Sequence, residues 1–341
     1  MIESFSLRSA QLRLEPLEQR VVLTTTSKLM YAIAPGFGSA ANINVYNADG
    51  SLRFIIKAFP GFLGGVQVAS GDVNGDGYQD LIVAAEVGAG PHIQVFDGNN
   101  GSMIRNFFAY DPNFMGGISI AAGHISSNVY EDIITGPLSG ADPHVEVFNG
   151  ITNQLVRSFD AFSPSYRGGI YVAAGNTQTQ LNDDIIVSMA SSNPSTGNPL
   201  VNIFNSQTSA LIRSFQPYSS SYYGGIYLAS ADVSGDGYAD IVTGPTDGAP
   251  ANVEIFNGFN GQLIKSFYAF GNSNSTTGAR VAASDLQGNL RADIIVATGP
   301  TRTPIVDIFQ GISVSPFLQT PLFYQQYTAF SSDYFNGIYV A

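Results

Sequence analysis

Two ten-residue stretches, "GDVNGDGYQD" at 71–80 and "ADVSGDGYAD" at 231–240, concentrate oxygen-bearing side chains at alternate positions. Aligned, they set Asp72, Asn74, Asp76 and Asp80 against Asp232, Ser234, Asp236 and Asp240, with Gly77 and Gly237 in register. Counted from the first Asp, these oxygens fall at positions 1, 3, 5 and 9. The carbonyl of Tyr78 or Tyr238 falls at position 7, and the glycine at position 6 permits a sharp bend. Hard oxygen ligands at this spacing suit Ca²⁺, in the manner of the first half of an EF-hand loop, although the Glu at position 12 and the flanking helices are absent. Turn propensity explains one or two such residues. It does not explain four in each of two copies, whose crowded carboxylates repel one another when no cation is bound.

Three further stretches are degenerate copies. "GHISSNVYED" keeps Ser126, Asn128 and Asp132 but begins on His124, and "GNTQTQLNDD" keeps Asn176 and Asp184 with the longer Gln178 and Gln180 between. "SDLQGNLRAD" keeps Asp285, Asn289 and Asp293 around Gln287, and is expected to be a weaker metal site. The final Asp stands in every copy, which points to a structural role in accepting hydrogen bonds from the loop backbone.

The elements that hold these loops repeat with them. "GGVQVA" at 64–69 returns as "GGISIA", "GGIYVA", "GGIYLA", "TGARVA" and "NGIYVA", at a period of 52 to 59 residues. After each of the first five comes a phrase such as "DLIVA", then one such as "IQVFDG", then one such as "QLVRSFDAF". Each phrase is a short apolar or alternating run bounded by Gly, Asn, Asp or Pro, and reads as a strand. Four strands per repeat, lettered A to D, make one β-propeller blade. A sandwich need not repeat, and the period is long for a solenoid coil. The N-terminal part supplies B, C and D strands ("LMYAIA", "INVYN", "LRFIIKAF") without an A strand, while the chain ends on a lone A strand. Joining the two predicts an all-β, six-bladed propeller of four-stranded antiparallel blades, the first blade closed by the C-terminal strand, which removes exposed edges. A fragment of a longer array is the competing reading.

The repeats resemble the FG-GAP and VCBS units of integrin α-subunit propellers and many bacterial surface proteins, on "DVNGDGYQDLIV", "GAGPHIQVFDG" and "FFAYDPNFMGG", over residues 29–341. The resemblance implies Ca²⁺ in the A–B loops, at Asp72, Asn74, Asp76, Asp80 and their fifth-blade counterparts. Residues 1–28 read as a leader or flexible segment outside the fold. Their "LEPLEQRVVL" is similar to the LEPR-x-LL leader of planctomycete-type surface proteins, with an extra Leu-Glu-Gln stretch before the Arg.

The formal net charge of -12 disfavours nucleic-acid backbones and favours cations. The absence of cysteine removes disulfides, thiolate metal sites and cysteine nucleophiles. No apolar run approaches the roughly 20 residues that span a bilayer. No G-x-S-x-G elbow, H-E-x-x-H or phosphate loop occurs. His92 and His144 occupy equivalent repeat positions, where Leu200, Asn252 and Ile305 stand elsewhere, and so read as structural; catalysis finds no support. Antiparallel order puts the A–B and C–D turns on one face. The opposite face gathers Phe114, Tyr166, Tyr222, Tyr223, Tyr334 and Phe335, which either stack on a glycan or protein ligand or fill the gaps between blades. The expectation is an extracellular or cell-surface calcium-binding adhesion or protein-binding module. A lectin-like glycan binder is the alternative, and a polysaccharide-active enzyme ranks last.

Overall fold

The computed structural model describes residues 30–341 apart from 128, 179–180, 193–194, 196, 272–275, 301, 313–322 and 332–333. The proposed leader, and with it Asn128 and Gln180, lies outside the described residues. The chain begins with β1 (Met30–Pro35), β2 (Asn42–Asn47) and β3 (Leu52–Lys57). Blade 2 follows as β4 (Val66–Gly71), β5 (Asp80–Ala85), β6 (His92–Phe96) and β7 (Met103–Phe108). Blade 3 is β8 (Ile118–Gly123), β9 (Asp132–Pro137), β10 (His144–Phe148) and β11 (Leu155–Asp160). Blade 4 is β12 (Ile170–Gly175), β13 (Asp184–Met189), β14 (Val201–Phe204) and β15 (Leu211–Phe215). Blade 5 is β16 (Ile226–Ala231), β17 (Asp240–Pro245), β18 (Asn252–Phe256) and β19 (Leu263–Tyr268). Blade 6 is β20 (Arg280–Ser284), β21 (Asp293–Ala297), β22 (Ile305–Phe309) and β23 (Phe323–Thr328), and the chain ends in β24 (Ile338–Val340).

These strands form six four-stranded antiparallel sheets, and β24 pairs with β1 to complete blade 1 in the order β24-β1-β2-β3. The inner strands touch in a closed ring, from β4 through β8, β12, β16 and β20 to β24 and back to β4. The second strand of each blade, such as β5 or β9, is buried along its whole length because a neighbouring blade covers each face. Its sequence is therefore a continuous apolar run. The outer strands are half exposed and alternate. All six C–D hairpins shift register at one place near the turn, a bulge that the repeat preserves.

The Gly-Gly opening of strand A has a steric cause at blade 4. Gly169 has φ +81 and a Cβ there would sit 1.6 Å from the Leu138 carbonyl, while one at Gly168 would meet the Tyr166 ring. Arginines of the outer strands tie adjacent blades. Arg157 Nε donates to the Ser206 carbonyl at 2.8 Å and Arg213 Nη2 to that of Phe259 at 2.6 Å.

Candidate metal centre

Each complete loop is wound around its first Asp. In blade 2, Asp72 Oδ1 accepts the N–H groups of Gly75 (2.8 Å) and Asp76 (3.1 Å), and Oδ2 accepts that of Gly77 (2.8 Å). Asp76 Oδ1 accepts the Tyr78 N–H at 2.8 Å. Blade 5 repeats the pattern through Asp232 and Asp236, with Tyr238 N–H at 2.9 Å. Gly75, Gly77, Gly235 and Gly237 all have φ between 75 and 88, the left-handed region that lets the chain curl so tightly. Blade 6 has the same winding: Asp285 accepts from Asn289 and Leu290, and Asn289 Oδ1 accepts from Arg291. Leu290 holds φ 64 at the place of Gly77, so that loop keeps its shape without the glycine.

The final Asp is a pin in every blade that has the loop. Asp80, Asp132, Asp184, Asp240 and Asp293 are at most 1% exposed. Asp80 takes the N–H groups of Val73 and Asn74 on Oδ2 and that of Gly98, in the C–D turn, on Oδ1. Asp132 does the same with Ser126 (2.6 Å) and Gly150 (3.1 Å), in a blade whose loop begins on His124. In blade 4, Thr177 donates to Asp184 at 2.6 Å. The loops also join one another: the carbonyls of Asp72 and Asp232 accept N–H groups from Glu131 and Ala292 of the next blade.

As they stand, the carboxylates face backbone N–H groups, and among the described residues no three His, Asp or Glu side chains are gathered in coordination geometry. Two observations nonetheless fit a cation. Asp240 Oδ1, Ser234 Oγ and Asp293 Oδ2 are buried oxygens with poorly satisfied hydrogen bonding, the first two having mainly each other, a costly state for a polar atom. Burial, with the charges of Asp76, Asp72 and Asp97 added, raises the Asp80 pKa to about 7, and burial with Asp236 and Asp232 raises Asp240 to about 6. Carboxylates outnumber cations at both loops, where Arg105 acts on Asp80 and the Arg291 side chain lies against Gly235. In blade 3, His124 instead meets Asp183, with its N–H 2.8 Å and its Nδ1 3.6 Å from Oδ2.

On the opposite face, Tyr166 is 5% exposed and its hydroxyl lies 2.8 Å from the Gly169 carbonyl and 2.6 Å from that of Ser191. Tyr222 and Tyr334 make the equivalent bonds to Gly225 (2.6 Å) and Gly337 (3.0 Å). Phe114 packs on Tyr110 edge to face. These rings sit over the Gly-Gly turns between blades, while Tyr223 and Phe335 are the exposed ones, at 39% and 50%.

Sequence reasoning missed the channel. The fourth residue of each "GGVQV"-type phrase lines one level of it: Gln67, Ser119, Tyr171, Tyr227, Arg280 and Tyr339, around a cavity of about 60 Å³. Arg280, 5% exposed, pairs with Asp247 at 3.0 Å, reaches the Ile338 carbonyl at 3.3 Å and lies 4.0 Å over the Tyr339 ring. Gln67 donates to Glu86 at 2.6 Å. Burial raises both Glu86 and Asp247, with Arg280 pulling them back. The signal was an Arg in a strand phrase that is otherwise uncharged.

Ring closure, four-stranded blades and repeated A–B loops define a six-bladed β-propeller. A family model described as the FG-GAP repeat matches residues 64–102, which cover β4 to β6 of blade 2 and its Asp72 loop. The chain is a six-bladed β-propeller that carries an FG-GAP repeat at residues 64–102. Solved structures similar to it include that of U3-55K, at 14% identity over 80% of this chain and 72% of that chain, TM-score 0.46. The Dos1 propeller is 15% identical over 86% and 67%, TM-score 0.46. The exotype rhamnogalacturonan lyase YesX is 13% identical over 84% and 68%, TM-score 0.44. No helix among the described residues is long and apolar enough to cross a membrane.

Proposed function

We propose that this propeller is a Ca²⁺-stabilised binding module of a secreted or cell-surface protein, with adhesion or protein binding as its role. The observation that carries the reading is the pair of wound loops in blades 2 and 5. They face each other across the ring and hold crowded carboxylates, and blade 5 adds the buried, poorly satisfied oxygens of Ser234 and Asp240. Asp72, Asn74, Asp76, the Tyr78 carbonyl and Asp80 would hold one ion. Asp232, Ser234, Asp236, the Tyr238 carbonyl and Asp240 would hold the other, with Asp285, Asn289 and Asp293 a weaker third. A bound divalent cation would add positive charge among the crowded carboxylates of these loops. The loops' own hydrogen bonds then fix the blade ends, and the Asp80–Gly98 bond in blade 2 and the Asn257–Asp236 bond in blade 5 carry that rigidity to the C–D turns.

FG-GAP propellers generally bind proteins and are typically extracellular. Module-type sites bind Ca²⁺ at about 10⁻⁴ to 10⁻³ M, which matches millimolar external calcium. Each site held at 100 times its dissociation constant adds roughly 2.7 kcal/mol. Melting in Ca²⁺ against EDTA tests the reading, which fails if the two curves coincide.

A glycan ligand is the second reading, favoured by a cleft of about 520 Å³ between blades 6 and 1 lined by Phe330, Tyr334, Asn42, Asn44 and Lys57. Aromatic rings beside amides suit sugar faces and hydroxyls. A glycan array with Lys57→Ala as control separates the readings: a saturable signal lost in the variant favours the sugar.

A further inference from the structure

We propose that Ser158, His144 and Asp160 of blade 3 form a nucleophile–base–orienter triad able to hydrolyse small carboxylic esters. The strand register builds it. β10 and β11 set His144 opposite Asp160 and Glu146 opposite Ser158. The Ala161 N–H bonds the Pro143 carbonyl at 2.9 Å. By antiparallel alternation, the 144/160 and 146/158 pairs are then the non-hydrogen-bonded ones, whose side chains stand closest. His144 Nδ1 accordingly lies 2.8 Å from Asp160 Oδ1, and Nε2 lies 2.7 Å from Ser158 Oγ. With the Nδ1 proton held by Asp160, Nε2 is the basic nitrogen facing the hydroxyl.

Two further features serve the reaction. β11 is the outer strand of its sheet, and the same alternation turns the Ser158 N–H away from β10, where it can donate to a developing oxyanion. His144 also lines a largely apolar cleft of about 310 Å³ with Tyr110, Phe114, Pro137 and Ala141, bordered by Asp111 and Asp142, a seat for a short acyl group. Glu146 Oε1 lies 4.0 Å from Nε2, a second carboxylate beside the ring.

Other blades show what is ordinary at these positions. In blade 5, Ser266 Oγ lies 2.9 Å from Asn252 Oδ1, and in blade 2 His92 bonds Asn106. The chain has three histidines, and His144 is the one bonded to both a serine and a carboxylate among the described residues.

Ser158 Oγ attacks the ester carbonyl carbon as its proton passes to Nε2. The ester C–O bond breaks, and the leaving alkoxide takes that proton and departs as an alcohol. Water, losing a proton to Nε2, attacks the acyl carbon; Ser158 leaves with the proton and the carboxylic acid is released. One oxyanion donor makes for slow turnover, so the acyl-enzyme accumulates.

The proposal is independent of the calcium reading. The full chain is incubated with p-nitrophenyl acetate and, separately, with an alkyl fluorophosphonate, and the labelled peptide is found by mass. Label is expected on Ser158, absent in Ser158→Ala, slowed by about 100-fold in His144→Ala and by at least about tenfold in Asp160→Asn, and unchanged in Ser266→Ala. Circular dichroism checks that each variant is folded, and Asp160→Asn keeps the shape if His144→Ala does not fold. Label spread over several serines, or on Ser158 at the same rate in Asp160→Asn, overturns the triad and leaves a cross-strand structural contact.

Discussion

Arg280→Met removes the cation from the channel cluster while keeping an unbranched, apolar stem. Asp247 then loses its ion pair at 3.0 Å, and Glu86 loses the nearby positive charge. The C-terminal strand loses both the bond to the Ile338 carbonyl and the stacking on Tyr339. Breaking a buried ion pair by removing one partner costs about 3–5 kcal/mol. With ~2.1 cal/mol/K of unfolding entropy per residue over about 310 residues, that is a fall of roughly 5–8 °C in melting temperature. The cost depends on pH, with a definite sign. Both acids titrate above their usual values because they are buried, and Arg280 pulls them down, so its loss raises them further. An acid whose folded pKa exceeds its unfolded one binds extra protons in the folded state, so stability falls as pH rises between the two values. The variant is therefore expected to lose most near pH 8 and to recover part of the loss near pH 5. Urea unfolding followed by circular dichroism at both pH values measures this directly. A loss under about 1 kcal/mol, or one equal at the two pH values, refutes the argument that this cluster latches the ring.

Asp132→Asn puts an amide where two N–H groups converge, and is expected to cost about 1–3 kcal/mol, equally in Ca²⁺ and in EDTA; a cost that vanishes in EDTA contradicts the pin. Tyr166→Phe removes a buried hydroxyl bond and is expected to cost about 1 kcal/mol in thermal unfolding, whereas Tyr166→Ala also opens the inter-blade gap and costs about 3–5 kcal/mol. If Tyr166→Ala melts like the parent, the ring is not a blade spacer. Gly169→Ala has no room beside the Leu138 carbonyl, and its soluble yield on expression is expected to collapse; a normal yield and melting point contradict the packing account.

The architecture was legible because a repeat displays its strands several times over, and because the missing first A strand and the surplus last one, "NGIYVA", fit each other. The role of the final Asp was legible too, since it stands even in the loop that opens on His124, and Asp132 holds two N–H groups there. The channel cluster was not. Arg280, Glu86 and Asp247 come from three blades, and only ring closure brings them together. Ser158 and Asp160 were hidden for a related reason: their meeting with His144 depends on hairpin register and a bulge, which composition does not encode. The aromatic positions could be located but not interpreted from sequence, because a Tyr over a Gly-Gly turn and a Tyr facing a ligand have the same spacing. The hydroxyl of Tyr166, bonded to backbone, distinguishes the two.

Calorimetric titration of the full chain with Ca²⁺ tests the central claim most directly. Saturable binding at two sites is expected, with a weaker third from the Asp285 loop, and the two should disappear together in Asp76→Ala plus Asp236→Ala. The parent's melting temperature should rise with Ca²⁺ while the double variant's does not. The absence of saturable heat in the parent, or full binding retained in the double variant, would contradict the account.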